Sequence, residues 1–173
     1  SPSVMSQQAQ LAKDYGIGAF CFYFYWFGGK TLLETPLQNV LSDPSLDMPF
    51  CLCWANEKWS RTWDGRGDDI LIDQNHSPED DLAFIEHVSQ YLRDPRYLRI
   101  DGKPVLLLYR PGLLPDPIAT TDRWRNWCNA NGIGGIHLAY VQAFERPTPV
   151  AIGFDAAVGF PPNLSNPTAI AQE

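Results

Sequence analysis

Strand-length apolar runs alternate with stretches of helical periodicity along most of this chain. The longest run covers residues 17–27 and reads IGAFCFYFYWF, with almost no polar position on either face of a strand. A strand that is apolar on both faces has to be covered on both, as in parallel sheets flanked by helices. The pattern therefore predicts an α/β fold in which helical crossovers connect parallel strands.

Four further strands are predicted, at residues 49–54, 104–109, 135–141 and 154–160. Helices are predicted at residues 4–14, 31–41, 77–92 and 121–131, and Pro36 places the start of the regular part of the second one near residue 36. The third helix has the clearest start, because Ser77 is a favoured cap and Pro78 fits the first turn. Leu82 is expected on its packed stripe, His87 on its surface, and Thr121 is expected to cap the fourth helix. Residues 55–67 are predicted to form a polar loop, with a short extended piece at 70–72.

Polar and aromatic residues gather where the predicted strands end: Tyr25, Trp26, Asn56, Glu57, Tyr109, Arg110 and Gln142. In a (β/α)8 barrel, the carboxyl ends of the strands form the active face. A doubly wound nucleotide-binding sheet is the rival, but no Gly-x-Gly-x-x-Gly loop follows a strand. We expect a partial (β/α)8 TIM-type barrel of about five parallel strands. Because a complete barrel needs about 250 residues, residues 1–173 are expected to be one domain from its central part, with the first and last strands outside the chain.

Charge and cysteine usage exclude several classes of partner. The net charge is −7 and no cluster of Lys or Arg is present, which argues against nucleic acid. The sequence contains no run of about 20 apolar residues, which is the length that a membrane-spanning helix requires. Cys21, Cys51, Cys53 and Cys128 have no zinc-type spacing, and we interpret them as reduced, mostly buried thiols of a cytoplasmic protein.

Three tryptophans lie within ten residues, from the last position of the second predicted strand onwards: Trp54, Trp59 and Trp63. Flat rings can stack on sugar faces, and Glu57 lies among them with Asn56 beside it. Alternatively, the rings only pack, and Glu57 pairs with Lys58 or Arg61 in a solvated loop. The predicted substrate-binding set is Tyr25, Trp26, Trp54, Asn56, Glu57, Trp59, Arg61, Trp63, Asp64, Tyr109, Arg110 and Gln142.

The other titratable residues give no catalytic constellation. His76, His87 and His137 are scattered, without the spacing of a triad or a metal site. The adjacent acids Asp80 and Asp81 are expected to point in different directions, so they do not suit shared acid–base work.

Several motifs, in this order, resemble those of one known family. They are Tyr15-Gly16-Ile17, Phe24-Tyr25-Trp26-Phe27, Phe50-Cys51-Leu52-Cys53-Trp54-Ala55-Asn56-Glu57, Trp63-Asp64-Gly65, Asp101-Gly102-Lys103-Pro104 and Phe154-Asp155-Ala156-Ala157. Together they resemble the WbsX family of bacterial polysaccharide gene clusters, whose members are described as glycosyltransferases and as having a domain like glycoside hydrolase family 99. The resemblance implies a glycan substrate, a (β/α)8 barrel, and no metal or organic cofactor.

Two departures from this family leave the catalytic carboxylates unassigned. The later Asn-Glu-Trp-x-Glu-Gly motif, from which family 99 hydrolases draw their carboxylate pair, has no match here. Gly159 also stands before Phe160-Pro161-Pro162 where the family suggests Glu. Glu57 is the best catalytic candidate, but without a second carboxylate we expect it to position the substrate.

The expected function is therefore action on glycosidic bonds in bacterial surface polysaccharide metabolism, lipopolysaccharide included, by a hydrolase or a glycosyltransferase. The absence of an Asp-x-Asp motif favours hydrolase-like chemistry, whereas the family's name favours transfer. A glycan-binding barrel fragment without catalysis is the alternative. Expected partners are a glycan, further copies of the chain at open sheet edges, or fused glycosyltransferase domains.

Overall fold

Five parallel strands form the main sheet of the computed structural model, which describes residues 2–61 and 66–160. The helices are α1 (Pro2–Asp14), α2 (Thr35–Ser42), α3 (Pro78–Leu92) and α4 (Pro117–Ala130). The strands are β1 (Phe20–Phe27), β2 (Lys30–Leu32), β3 (Phe50–Trp54), β4 (Trp59–Arg61), β5 (Arg66–Ile72), β6 (Arg99–Ile100), β7 (Lys103–Leu108), β8 (His137–Gln142) and β9 (Ala156–Gly159). Short 3-10 helices lie at Pro111–Leu113 and Pro149–Ile152.

The parallel strands lie side by side in the order β1-β3-β7-β8-β9, which is also their order along the chain. A doubly wound sheet requires a reversal of this order, and none occurs among the described strands. The five parallel strands with helical crossovers confirm the predicted partial TIM-type architecture. β2 and β6 add short antiparallel pairs to β1 and β7.

The two faces of the sheet differ in their cover. One face packs on α3 and α4: the Trp54 ring stacks on Phe84 with centroids 4.2 Å apart, and Trp124 lies 6.0 Å from Trp54. The opposite face carries Tyr23 and Tyr25, which alternate with Phe24 along β1. Tyr23 is 45% exposed, so the opposite face is only partly covered.

Residues 31–34 of the helix predicted at 31–41 are not helical, whereas its regular part begins near Pro36 as expected. Residues 30–32 form β2, which pairs antiparallel with Tyr25, Trp26 and Phe27 of β1. Gly28 and Gly29 have φ values of 54° and 89°, and this left-handed pair makes the tight turn that hairpins favour. α2 begins only at Thr35, with Pro36 in its first turn.

The start predicted for the fourth helix is also wrong, whereas that of the third is confirmed. Asp116 caps α4 by accepting from the Ala119 N–H, while Thr121 lies inside the helix. The Ser77 hydroxyl caps α3 by accepting from the Asp80 N–H at 3.1 Å. Leu82 is 41% exposed and lies off the packed stripe. His87 is half-buried against Glu34, not on the open surface.

The polar loop after β3 contains a strand that the sequence did not predict. β4 pairs antiparallel with β5, and their register shifts on both sides of Ser60. This hairpin connects β3 with α3 and therefore belongs to the carboxyl end of the sheet.

None of the helices within the described part of the chain has the length and apolar character that a membrane span requires.

Candidate functional site

A cleft of about 980 Å³ opens at the carboxyl ends of β1, β3 and β7. Its volume lies within the range of small-molecule sites, which is roughly 300–1,000 Å³. The lining residues come from β1, from both strands of the hairpin and from the loops after β3, β5 and β7. They are Tyr23, Tyr25, Ala55, Asn56, Glu57, Lys58, Trp59, Ser60, Leu71, Asp73, Gln74, His76, Tyr109, Arg110 and Leu113.

Asn56 connects the loops that follow β3 and β7. Its Nδ2 donates to the Arg110 carbonyl at 2.8 Å, and its Oδ1 accepts from the Arg110 N–H at 2.8 Å. The side chain is fully buried although it borders the cleft. Both ends of the amide are therefore engaged, and Asn56 fixes the backbone positions from which Glu57 and Arg110 project.

Arg110 lies between two carboxylates. Its Nη1 donates to Glu57 Oε1 at 2.7 Å, while its Nε and Nη2 lie 3.0 and 2.9 Å from Glu145 Oε1. The guanidinium also lies 3.9 Å from the centre of the Phe144 ring, within cation–π distance. The Glu57 side chain is 39% exposed, so it faces the cleft while its charge is balanced by Arg110.

Aromatic rings form one wall of the cleft. Tyr25 and Trp59 meet edge to face with centroids 5.3 Å apart, and Tyr23 meets Tyr109 in the same way at 6.0 Å. Burial raises the pKa of Tyr23 to about 12. The pKa of Tyr109 is also raised, mainly by burial and to a smaller extent by the negative charge of Glu57. Tyr23 and Tyr109 therefore stay protonated at neutral pH and offer O–H donors beside apolar ring surface.

Two polar side chains from the loop after β5 form another part of the cleft wall. The buried side-chain nitrogen and oxygen of Gln74, and both ring nitrogens of His76, have no hydrogen-bond partner among the residues the structure describes. The His76 ring meets the Trp54 ring edge to face at 5.5 Å. Burial lowers the pKa of His76, although Asp81 and Asp80 nearby act in the opposite direction.

The family described as "Glycosyltransferase WbsX" matches residues 1–173. This chain belongs to the WbsX glycosyltransferase family. The chain is 66% identical over 170 residues to "Uncharacterized protein WxcX" from two strains of Xanthomonas campestris pv. campestris, B100 and ATCC 33913. The match covers 98% of this chain and 24% of each WxcX protein, so the chain spans about a quarter of these relatives.

A solved structure described as "Glycoside hydrolase-like protein" has a similar fold, with a TM-score of 0.60 at 14% identity. The likeness covers 92% of this chain and 50% of that one. At this identity the comparison supports the fold alone, and it agrees with the five-stranded parallel sheet of the WbsX chain.

Five of the predicted substrate-binding residues line the cleft with accessible side chains: Tyr25, Glu57, Trp59, Tyr109 and Arg110. The structure places two others in the core. Trp26 donates from Nε1 to Asp80 at 2.7 Å, and Trp54 is fully buried against Phe84, so neither lines the cleft. Each of the two rings lies two positions after a buried core residue of its own strand. Side chains two positions apart on a strand point to the same face, so both rings lie on the helix-covered face of the sheet.

Of the remaining predicted residues, Asn56 borders the cleft with a fully buried side chain. Gln142 ends β8 and donates to the Tyr140 hydroxyl at 3.4 Å, outside the set of lining residues. Arg61 ends β4, and Trp63 with Asp64 lies outside the described residues. The described ion pair of Glu57 is made by Arg110, which comes from the loop after β7.

Sequence reasoning missed several residues of the site: Tyr23, Gln74, His76 and Glu145. Tyr23 could have been found, since it lies two positions before Tyr25 on the same strand face. Gln74 and His76 follow a hairpin of which the sequence predicts only the extended piece at residues 70–72. Glu145 carried no local signal, because its partner Arg110 is 35 residues away.

The described ranges 2–61 and 66–160 hold no group of three or more His, Cys, Asp or Glu side chains arranged to bind a metal ion. Cys51, Cys53 and Cys128 are buried free thiols, whereas Cys21 is exposed.

Proposed function

We propose that this WbsX chain is the glycan-facing part of an enzyme that acts on glycosidic bonds in bacterial surface polysaccharide metabolism, as a family 99-like hydrolase or as a glycosyltransferase. The cleft is the observation that supports this proposal most directly. It combines aromatic rings that meet edge to face with an ion-paired carboxylate and protonated tyrosines at the carboxyl edge of a parallel sheet. That edge is where barrel enzymes hold their substrates.

Each group has a role that follows from its surroundings. Trp59 and Tyr25 present ring surface on which a sugar can stack. Glu57 keeps one carboxylate oxygen on Arg110, so its other oxygen is available to accept a hydrogen bond from a sugar hydroxyl. Arg110 is held by Asn56 through its backbone and by Glu145 through its guanidinium, which makes Glu57 a rigidly placed acceptor.

Glu57 in this arrangement suits substrate positioning better than proton transfer. A general acid or base needs an oxygen that is free to exchange a proton with the substrate, whereas Oε1 of Glu57 is held by the Arg110 guanidinium at 2.7 Å. The carboxylate pair that a glycosidase requires is not assigned within this chain. Further parts of the complete protein are the proposed source of those groups.

A non-catalytic glycan-binding domain is the second candidate. It is favoured by the engagement of Glu57 and Glu145 with the same guanidinium, which leaves neither side chain free of a fixed counter-charge. Such a domain would bind the same glycans through the same rings but would not change them.

The test uses the complete purified protein on an array of bacterial surface oligosaccharides, followed by turnover measurements on the glycans that bind. Glu57→Gln keeps the shape of the side chain and removes its charge. A positioning role predicts weaker binding with a modest loss of turnover, whereas an acid–base role predicts a loss of roughly 10²–10⁴-fold.

Trp59→Ala is the companion variant, and it is expected to abolish most glycan binding. Tyr15→Ala is the matched control, because Tyr15 is 80% exposed at the opposite end of the sheet, away from the cleft. Equal binding by wild type and Trp59→Ala would contradict the proposed cleft. Binding without turnover on every glycan would select the non-catalytic candidate.

A further inference from the structure

Gln74 and His76 are unusual within the cleft because their polar groups are buried but unpaired. Oε1 and Nε2 of Gln74 and both ring nitrogens of His76 lack a hydrogen-bond partner among the described residues. Buried polar groups in folded proteins are almost always satisfied by protein, water or ligand. Four such atoms on two neighbouring lining residues therefore indicate a place where another molecule completes the hydrogen bonding.

The donors and acceptors of this pair define the chemistry of that molecule. The Gln74 amide offers a donor and an acceptor side by side, and a neutral imidazole offers one of each. Burial lowers the pKa of His76, which favours the neutral ring at neutral pH. A pair of adjacent sugar hydroxyls matches this arrangement, since each hydroxyl both donates and accepts.

The acidic residues near His76 disfavour an anionic sugar at this position. The guanidinium of Arg110 is already engaged by Glu57 and Glu145, so it is not available for a sugar carboxylate. Asp80 and Asp81 lie close enough to His76 to influence its titration, and both are buried. A neutral hydroxyl pair avoids repulsion from these carboxylates.

We propose that Gln74 and His76 form a hydrogen-bonding subsite that holds two adjacent hydroxyls of a neutral hexopyranose residue. The proposal rests on the proposed function, because it assumes that the cleft binds glycan. The four polar atoms are closed to water in the unliganded chain, so binding includes a rotamer change. Gln74 makes this rotamer change, because its side chain has three rotatable bonds, whereas the His76 ring is held against Trp54. Trp59 and Tyr25, which line the same cleft, then cover the sugar ring.

The test measures coupling between one protein side chain and one sugar hydroxyl. The probes are the methyl glycosides of mannose, glucose and galactose with their 2-, 3- and 4-deoxy analogues, titrated into the complete protein and followed by ligand-observed NMR. In the wild type, removal of either recognised hydroxyl weakens binding about three- to tenfold. In Gln74→Ala and His76→Phe, removal of the same hydroxyl is expected to have almost no further effect, because its partner is already absent.

Coupling separates recognition from a purely structural role. A variant that merely loosens the fold weakens all the glycosides equally and leaves the deoxy preference unchanged, and that result would overturn the subsite. Leu71→Ala is the control for loosening, because Leu71 lines the cleft with an apolar side chain. If the wild type binds glycans but both variants keep its affinities and deoxy preferences, the subsite is wrong and the proposed function stands. If the wild type binds neither these glycosides nor any array glycan, the proposed function fails first.

Discussion

Asn56 and Arg110 are 54 residues apart in the chain, yet two hydrogen bonds of 2.8 Å join them, one in each direction. The Asn56 amide thus does what a backbone peptide does in a sheet, and it extends the β3–β7 pairing beyond the ends of both strands. Glu57 follows Asn56 directly, and its Oε1 lies 2.7 Å from Nη1 of Arg110. The buried, uncharged amide of Asn56 therefore acts as a clamp between the two loops and supports both partners of the ion pair.

Replacement of Asn56 by Ala is expected to destabilise the protein by roughly 2–4 kcal/mol, because the N–H and carbonyl of Arg110 lose their partner. Glycan binding should weaken as well, since Glu57 and Arg110 lose their common support. Urea unfolding and array binding measure the two effects. Asn129→Ala, at an exposed position of α4, is the control and should leave both nearly unchanged. A stability loss below about 0.5 kcal/mol for Asn56→Ala would mean that water replaces the clamp.

Asp80 and Asp81 are adjacent buried acids for which we expect opposite mutational effects. Burial raises the pKa of Asp80, so its charged form costs stability at neutral pH, and Asn can still accept from Trp26 Nε1. Asp80→Asn should therefore be neutral or stabilise by up to about 1 kcal/mol. Asp81 accepts from Thr120 and pairs with Arg123 at 2.7 Å, so Asp81→Asn should destabilise by roughly 1–3 kcal/mol.

Denaturant unfolding of both variants at pH 7 checks this pair of expectations. We expect Asp80→Asn to be more stable than Asp81→Asn. The reverse ordering would show that the Trp26–Asp80 contact depends on the negative charge.

Glu34 gives the fold a defined pH dependence. Burial alone would raise the pKa of Glu34, but hydrogen bonds from Tyr91, His87 and Thr31 outweigh it and lower the pKa. The charged form is therefore favoured by folding. Its contribution is present above the unfolded pKa of about 4.3 and is lost as the pH falls through the lower folded value.

Glu34→Gln should cost roughly 1–3 kcal/mol at pH 7, and the gap to the wild type should shrink as the pH falls below about 4. Unfolding free energies at pH 7, 5 and 3.5 provide the measurement. Glu86→Gln, on the exposed side of α3, should show no such convergence. A gap between wild type and Glu34→Gln that is constant with pH would assign the effect to packing and not to charge.

The sequence predicted the parallel strands well because β1, β3 and β7 are apolar on both faces. The same property explains why it misplaced Trp26 and Trp54. When both faces of a strand are apolar, the period-two pattern does not indicate which face meets the helices, so a ring at a strand end can point either way. The ends of the strands therefore predicted where the cleft lies, but the alternation of side chains along each strand could not show which aromatic rings line it.

The ion pairs of the site show a second limit. Local spacing suggested that Glu57 pairs with Lys58 or Arg61, whereas the structure pairs it with Arg110 at 2.7 Å. Arg110 comes from the loop after the neighbouring parallel strand, and only the alignment of strand ends brings the two residues together. Ion pairs between residues that follow neighbouring strands depend on the register of the sheet. Neither the composition of the chain nor the spacing of its residues reveals that register.

The edge of β1 is expected to promote self-association of the isolated chain. β2 covers only the end of β1, so residues 20–24 have no strand on that side within the described part of the protein. An apolar groove of about 690 Å³ lies between α1 and this edge. Leu11 is 58% exposed and Ile17 is 50% exposed beside it. Unpaired N–H and C=O groups next to exposed apolar side chains favour pairing with another chain.

Sedimentation of residues 1–173 over a hundredfold concentration range tests the edge. We expect the average mass to rise with concentration, and we expect Leu11→Lys with Ile17→Lys to shift the chain towards the monomer, because charges beside an edge oppose strand pairing. Leu82→Lys, at a 41% exposed position on α3, is the matched control and should not change the association. A wild-type chain that stays monomeric throughout and melts cooperatively at high temperature would contradict the open edge, because only a closed smaller fold could then satisfy those backbone groups.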